Sequence, residues 1–143
     1  MKSNTIEDLL GGPQVLGHKI RSEMDLYELG KTGIPKKSLL IFSQKTNMTI
    51  RTISSTLHTT ERTLQRKKEL DVLSESLSEH IIQLAAVYSR GNEIFEDIDH
   101  FQTWVKTTNK ALGNKKPMEL LSSRFGAQMV LDELGRIEHG VYS

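Results

Sequence analysis

The stretch Thr60-Glu61-Arg62-Thr63-Leu64-Gln65-Arg66-Lys67-Lys68 gathers four basic side chains, one amide and two hydroxyls. A guanidinium bonds bidentately to guanine, a glutamine amide does the same to adenine, and ammonium groups sit on phosphates. The chemistry on offer is nucleic-acid recognition. Thr60, Arg62, Thr63, Gln65 and Arg66 would face base edges or phosphates, with Lys67 and Lys68 on phosphate. A plain solvated helix face would carry the same charges. A second set stands at the other end of the chain, in Arg136-Ile137-Glu138-His139-Gly140-Val141-Tyr142-Ser143. The flat fork of Arg136 can grip carboxylate or phosphate-like groups. Tyr142 offers an apolar ring with a polar tip, a side chain favoured at interface hot spots. The plain alternative is a frayed tail.

Other chemistries find no support. The chain has no cysteine, which excludes disulfides, thiol catalysis and cysteine-ligated zinc. His18, His58, His80, His100 and His139 do not form a metal-ligand spacing, and Leu84 stands four residues after His80. Gly11-Gly12-Pro13 lacks the lysine and helix of a phosphate loop. No catalytic residue, metal or cofactor is expected, and the reading is of a binding protein rather than an enzyme.

The elements that must position these residues read as helices. Thr49 can cap a helix whose apolar residues Ile50, Ile53 and Leu57 are spaced by three and four. A break falls at His58-Thr59. Thr60 can then cap a second helix, with Leu64 inward and its basic side chains outward. Two short helices joined by a tight turn form a helix-turn-helix, and the second is polar and basic as a groove-binding helix must be. The threonines and isoleucines of residues 48–57 leave a strand as the competing assignment. Upstream, Leu39, Leu40 and Phe42 predict a helix over 36–46 with Ser38 as its cap. Residues 1–33 read as short helices in a loosely packed arm, interrupted at Gly11-Gly12-Pro13. Downstream, Leu73, Leu77, Ile81, Leu84, Val87 and Tyr88 recur at steps of four, four, three, three and one, which predicts a long helix. Asp97 or Asp99 caps the next, through Phe101, Trp104 and Val105. Asn109 to Gly113 reads as a turn, Pro117 as a helix start. A last helix carries Ala127, Val130, Leu131 and Leu134 and frays near Gly140.

The downstream residues resemble the toxin-binding domain of the Xre/MbcA/ParS antitoxin family. Three blocks in order carry the resemblance: Glu93-Ile94-Phe95 with Phe101-Gln102-Thr103-Trp104-Val105; Thr108-Asn109-Lys110-Ala111-Leu112-Gly113 leading into Lys116-Pro117-Met118-Glu119-Leu120-Leu121; and Leu134-Gly135-Arg136-Ile137-Glu138-His139-Gly140-Val141-Tyr142-Ser143. Arg62-Thr63-Leu64-Gln65-Arg66 is similar, more weakly, to the helix-turn-helix part of these antitoxins. The resemblance implies the antitoxin of a type II toxin–antitoxin pair, whose toxin carries a RES domain and acts on NAD by degrading it or by transferring ADP-ribose. It implies toxin contact through residues 136–143, covering the active-site entrance, with Glu138 facing arginines that hold the NAD pyrophosphate. It also implies a homodimer, higher toxin–antitoxin complexes and binding to operator DNA. One position departs from the family pattern. Its turns usually hold glycine and an aliphatic residue where this chain has His58 and Thr59, and glycine takes a left-handed backbone more cheaply than histidine.

Composition is that of an ordinary, slightly polar soluble protein. The 143 residues are 26% charged and 36% hydrophobic, with a net charge of +1. Residues 1–73 hold 12 basic and 8 acidic side chains, and residues 74–143 hold 7 and 10. A basic half joined to an acidic half suggests two kinds of partner, and a chance fluctuation in surface charge would give the same imbalance. No apolar run long enough for a membrane span and no secretory signal is visible, so a cytoplasmic, membrane-free protein is expected. The expected architecture is all-α: an arm at 1–33, a small helix-turn-helix domain at 34–72 and a helical toxin-binding domain at 73–143. The rival reading is a transcriptional regulator whose C-terminal half only dimerises.

Overall fold

A serine followed by a long apolar periodicity is a strong helix start, and the chain uses it at Ser74, whose side chain accepts from the Leu77 amide at 3.2 Å. The computed structural model describes residues 5–140. In chain order the helices are α1 (Ile6–Leu9), α2 (Pro13–Leu16), α3 (Glu23–Thr32), α4 (Lys36–Thr46), α5 (Ile50–Thr56), α6 (Glu61–Gln65), α7 (Glu75–Phe95), α8 (Ile98–Val105), a 3-10 turn (Lys110–Leu112), α9 (Pro117–Leu120) and α10 (Arg124–Glu138). Among the described residues there is no strand, only isolated bridges at Pro35–Val72 and Asn109–Lys115. Residues 48–57 therefore form a helix start and α5, not a strand. Val141, Tyr142 and Ser143 lie outside the described residues.

Helix α7 is the spine. Ile81, Ile82, Leu84, Ala85, Val87 and Tyr88 are all buried, more than one apolar stripe, as a helix packed on several sides requires. α3 and α10 cover it most extensively, with α1, α4 and α8 against the remaining surface. Its aromatic contacts run through the centre: Tyr88 meets Phe42 of α4 edge-on at 5.5 Å and Phe101 of α8 at 5.0 Å. Burial pushes the Tyr88 hydroxyl well above its ordinary pKa. Gly91 lets α8 approach: a Cβ there would stand 2.2 Å from the Phe101 ring. Phe101 continues the stack to Trp104 at 5.9 Å, so the tryptophan belongs to this aromatic cluster.

Two local expectations change. Ser38 is not a cap: Pro35 holds that position, and Ser38 lies buried inside α4. Nor is the segment before α3 loosely packed. Leu9 and Leu10 are fully buried, and α1 packs on α4 and α7. Ion pairing ties α3 to the start of α7, where Lys31 Nζ stands 2.9 Å from Glu75 Oε1. The hydrogen bond and charge of each partner raise the Lys31 pKa and lower that of Glu75. Both are exposed, so the pair orients the helices more than it stabilises them.

Candidate nucleic-acid and partner interfaces

Helices α5 and α6 stand in helix-turn-helix order. Thr49 caps α5 by accepting from the Thr52 amide at 3.1 Å, and Thr60 caps α6 by accepting from the Thr63 amide at 3.0 Å. Ile53, Leu57 and Leu64 are buried and join the two helices to the core. The turn between them requires a left-handed residue, and His58 supplies it with φ 58°. A β-carbon in this region is strained, so something must hold His58 there. Its ring does: Nε2 lies 2.8 Å from the carbonyl oxygen of Ser122, just after α9. His80 on α7 makes the neighbouring contact, Nε2 to the carbonyl of Leu121 at 2.8 Å. A carbonyl only accepts, so both rings carry a proton on Nε2. These two histidines clasp the α9–α10 turn to the spine and to the helix-turn-helix. Sequence reasoning did not find them, because their partners lie 64 and 41 residues away.

The basic segment is shorter as a helix than its composition suggests. α6 ends at Gln65 with Arg66 as its C-cap. Lys67 and Lys68 follow in a loop, not on the helix. The reason is backbone pairing: after α6 the chain returns to the start of α4. There the Lys37 and Lys36 amides donate to the carbonyls of Glu69 and Asp71 at 2.8 and 2.9 Å, and the Leu73 amide donates to Ile34 at 2.8 Å. Lys36 Nζ also donates to the Lys67 carbonyl at 2.8 Å. Arg62, Gln65, Arg66, Lys67 and Lys68 are exposed. Their side chains make no ion pair with another described residue. Thr60 and Thr63 are exposed too, but their hydroxyls bond each other at 2.8 Å. These four cations lie on α6 and the loop after it.

At the other end, Ser123 caps α10 by accepting from the Gly126 amide at 3.1 Å, and Ala127, Val130 and Leu134 turn inward. Arg136, Ile137 and Glu138 form the last residues of this helix, His139 is its C-cap and Gly140 follows with φ 71°. Arg136 Nε donates to Glu133 Oε1 at 2.7 Å, and Glu133 is itself buried. Glu138 is already ion-paired with Arg90 of α7, so its carboxylate is not a free acceptor. The Asn109 turn is structural: its side chain accepts from the Ala111 amide at 2.8 Å and Gly113 has φ 70°. Among the described residues no three His, Cys, Asp or Glu side chains gather as metal ligands, and no helix is long and apolar enough to cross a membrane.

Comparison with known proteins returns two family matches, in the same order along the chain as the two candidate interfaces. Residues 25–86 match the antitoxin Xre-like helix-turn-helix domain. Residues 90–140 match the antitoxin Xre/MbcA/ParS C-terminal toxin-binding domain. A curated protein named antitoxin Xre, from Yersinia enterocolitica, is 36% identical over 84 residues, which are 57% of this chain and 57% of that protein. The chain therefore aligns with little more than half of that relative's length.

Proposed function

The chain belongs to the Xre/MbcA/ParS antitoxin family, and on that premise we propose that it neutralises a cognate toxin and binds the DNA that controls its own expression. One observation carries this reading: a helix-turn-helix match and a toxin-binding-domain match stand in tandem across residues 25–140. Residues 34–72 act as the DNA-binding unit and residues 73–143 as the toxin-binding unit, with α7 bridging them.

The division of labour follows from charge and exposure. Arg62, Gln65 and Arg66 read base edges, the side chains of Lys67 and Lys68 neutralise phosphate, and Thr60 and Thr63 hold the start of α6 toward the groove. Two half-sites need two recognition helices, so the DNA-binding form is a homodimer. The toxin is a RES-domain protein that consumes NAD. Arg136 and the residues after it, through Ser143, cover its active-site entrance. Glu138 must leave Arg90 if it is to meet a toxin arginine.

Co-purification tests the reading against its rival. The full chain is made together with the product of the adjacent gene and passed over a sizing column. A stable complex supports the antitoxin. Separate elution of a folded chain and a folded neighbour contradicts it and favours a regulator whose C-terminal half only dimerises.

A further inference from the structure

The solvent side of α10 carries side chains that a free helix face does not need. Its inward residues are Ala127, Val130 and Leu134, all fully buried. Phe125, Met129, Asp132 and Arg136 follow one another at steps of four, three and four, so they form a single outward ridge. Phe125 is 84% exposed and Met129 40% exposed. One apolar side chain in water is ordinary, but an aromatic and a methionine one turn apart make a patch. The polar members of the ridge are held in place. Gln128 donates to Asp132 Oδ1 at 2.9 Å, and Arg136 is fixed through Nε by Glu133.

We propose that this outward face of α10, with Phe125 and Met129 as anchors and Arg136 as its polar end, is a docking surface for the toxin. The inference rests on the antitoxin reading and extends its contact well beyond residues 136–143. Three observations select the toxin as occupant. The ridge lies wholly inside residues 90–140, which match a toxin-binding domain. It is continuous with the proposed inhibitory segment, since Arg136 belongs to both. Its anchors have the i, i+4 spacing by which an amphipathic helix seats in an apolar groove. Phenylalanine and methionine are also types enriched at interfaces. The partner surface it fits is an apolar groove with a carboxylate or other anion opposite Arg136.

The test uses the full chain and the purified product of the adjacent gene, with the dissociation constant measured by calorimetry. Phe125→Ala with Met129→Ala should fold with unchanged helicity, because neither side chain belongs to the buried core. The double variant should bind the toxin about thirtyfold or more weakly, the size of an interface hot spot. Leu70→Ala, which removes another exposed side chain (77% exposed) outside the toxin-binding-domain match, should bind like the wild type. A benzophenone side chain in place of Phe125 should cross-link to the toxin. Undiminished toxin binding by the double variant overturns the inference and leaves the antitoxin reading standing. So does a cross-link from position 125 to a second copy of this chain, with dimer dissociation in the variant. A wild-type chain that does not bind the toxin ends both.

Discussion

At the scale of single residues, the turn of the helix-turn-helix shows how a local cost is offset by a distant contact. His58 occupies a left-handed position that costs a residue with a β-carbon about 1–2 kcal/mol, and its ring bonds the Ser122 carbonyl at 2.8 Å. A hydrogen bond of this kind contributes about 1 kcal/mol. His58→Gly removes both the strain and the bond, so stability should stay within about 1 kcal/mol of wild type. His58→Ala keeps the strain and loses the bond, so it should be the less stable variant, by about 1 kcal/mol in urea unfolding. The opposite order would mean that the turn is not strained. Gly91 offers the complementary case. Alanine there would gain up to about 1 kcal/mol of helix propensity. Its Cβ would meet the Phe101 ring at 2.2 Å, and overpacking costs roughly 1–3 kcal/mol. Phe101 is pinned between Tyr88 and Trp104 and cannot yield cheaply, so Gly91→Ala should lower the thermal midpoint.

At the scale of elements, what was legible is what is local. Thr49 and Thr60 cap their helices as their positions suggest, because a cap is decided within three residues. The four-and-three spacing of α7 was readable for the same reason. What was not legible depends on distant partners. The end of α6 at Gln65 is set by backbone bonds between residues 69–73 and 34–37, which leave no side-chain signature. Ser38 looks like a cap in sequence but lies inside α4, which begins at Lys36 with Pro35 in the cap position. The clasp by His58 and His80 needs partners far along the chain, so lone histidines gave no signal beyond the odd residue in a glycine position. The observed α6 sharpens its own test. Lys67→Ala should weaken binding to all DNA sequences alike and flatten the salt dependence by about one unit of slope. Arg62→Ala or Gln65→Ala should relax preference at one base step, at about 1–3 kcal/mol. Fluorescence anisotropy with the DNA upstream of the gene, at several salt concentrations, separates them. Indistinguishable variants would contradict the groove assignment.

At the scale of the whole molecule, the charge asymmetry follows the division between the two proposed interfaces. The half with 12 basic against 8 acidic residues carries α6, and the half with 7 against 10 carries α10. The two halves are not independent, because α7 packs against both α4 and α10, and His58 of the helix-turn-helix bonds the Ser122 carbonyl in the α9–α10 turn. In the proposed function this body delivers residues 136–143 into a toxin that consumes NAD. The most direct measurement co-expresses the adjacent gene with either the full chain or a chain cut after Gly135, and reads growth and cellular NAD together. The full chain should restore both and the cut chain neither. Rescue by the cut chain would refute the role of residues 136–143, and a neighbour that harms nothing, or that the full chain fails to neutralise, would refute the antitoxin reading itself.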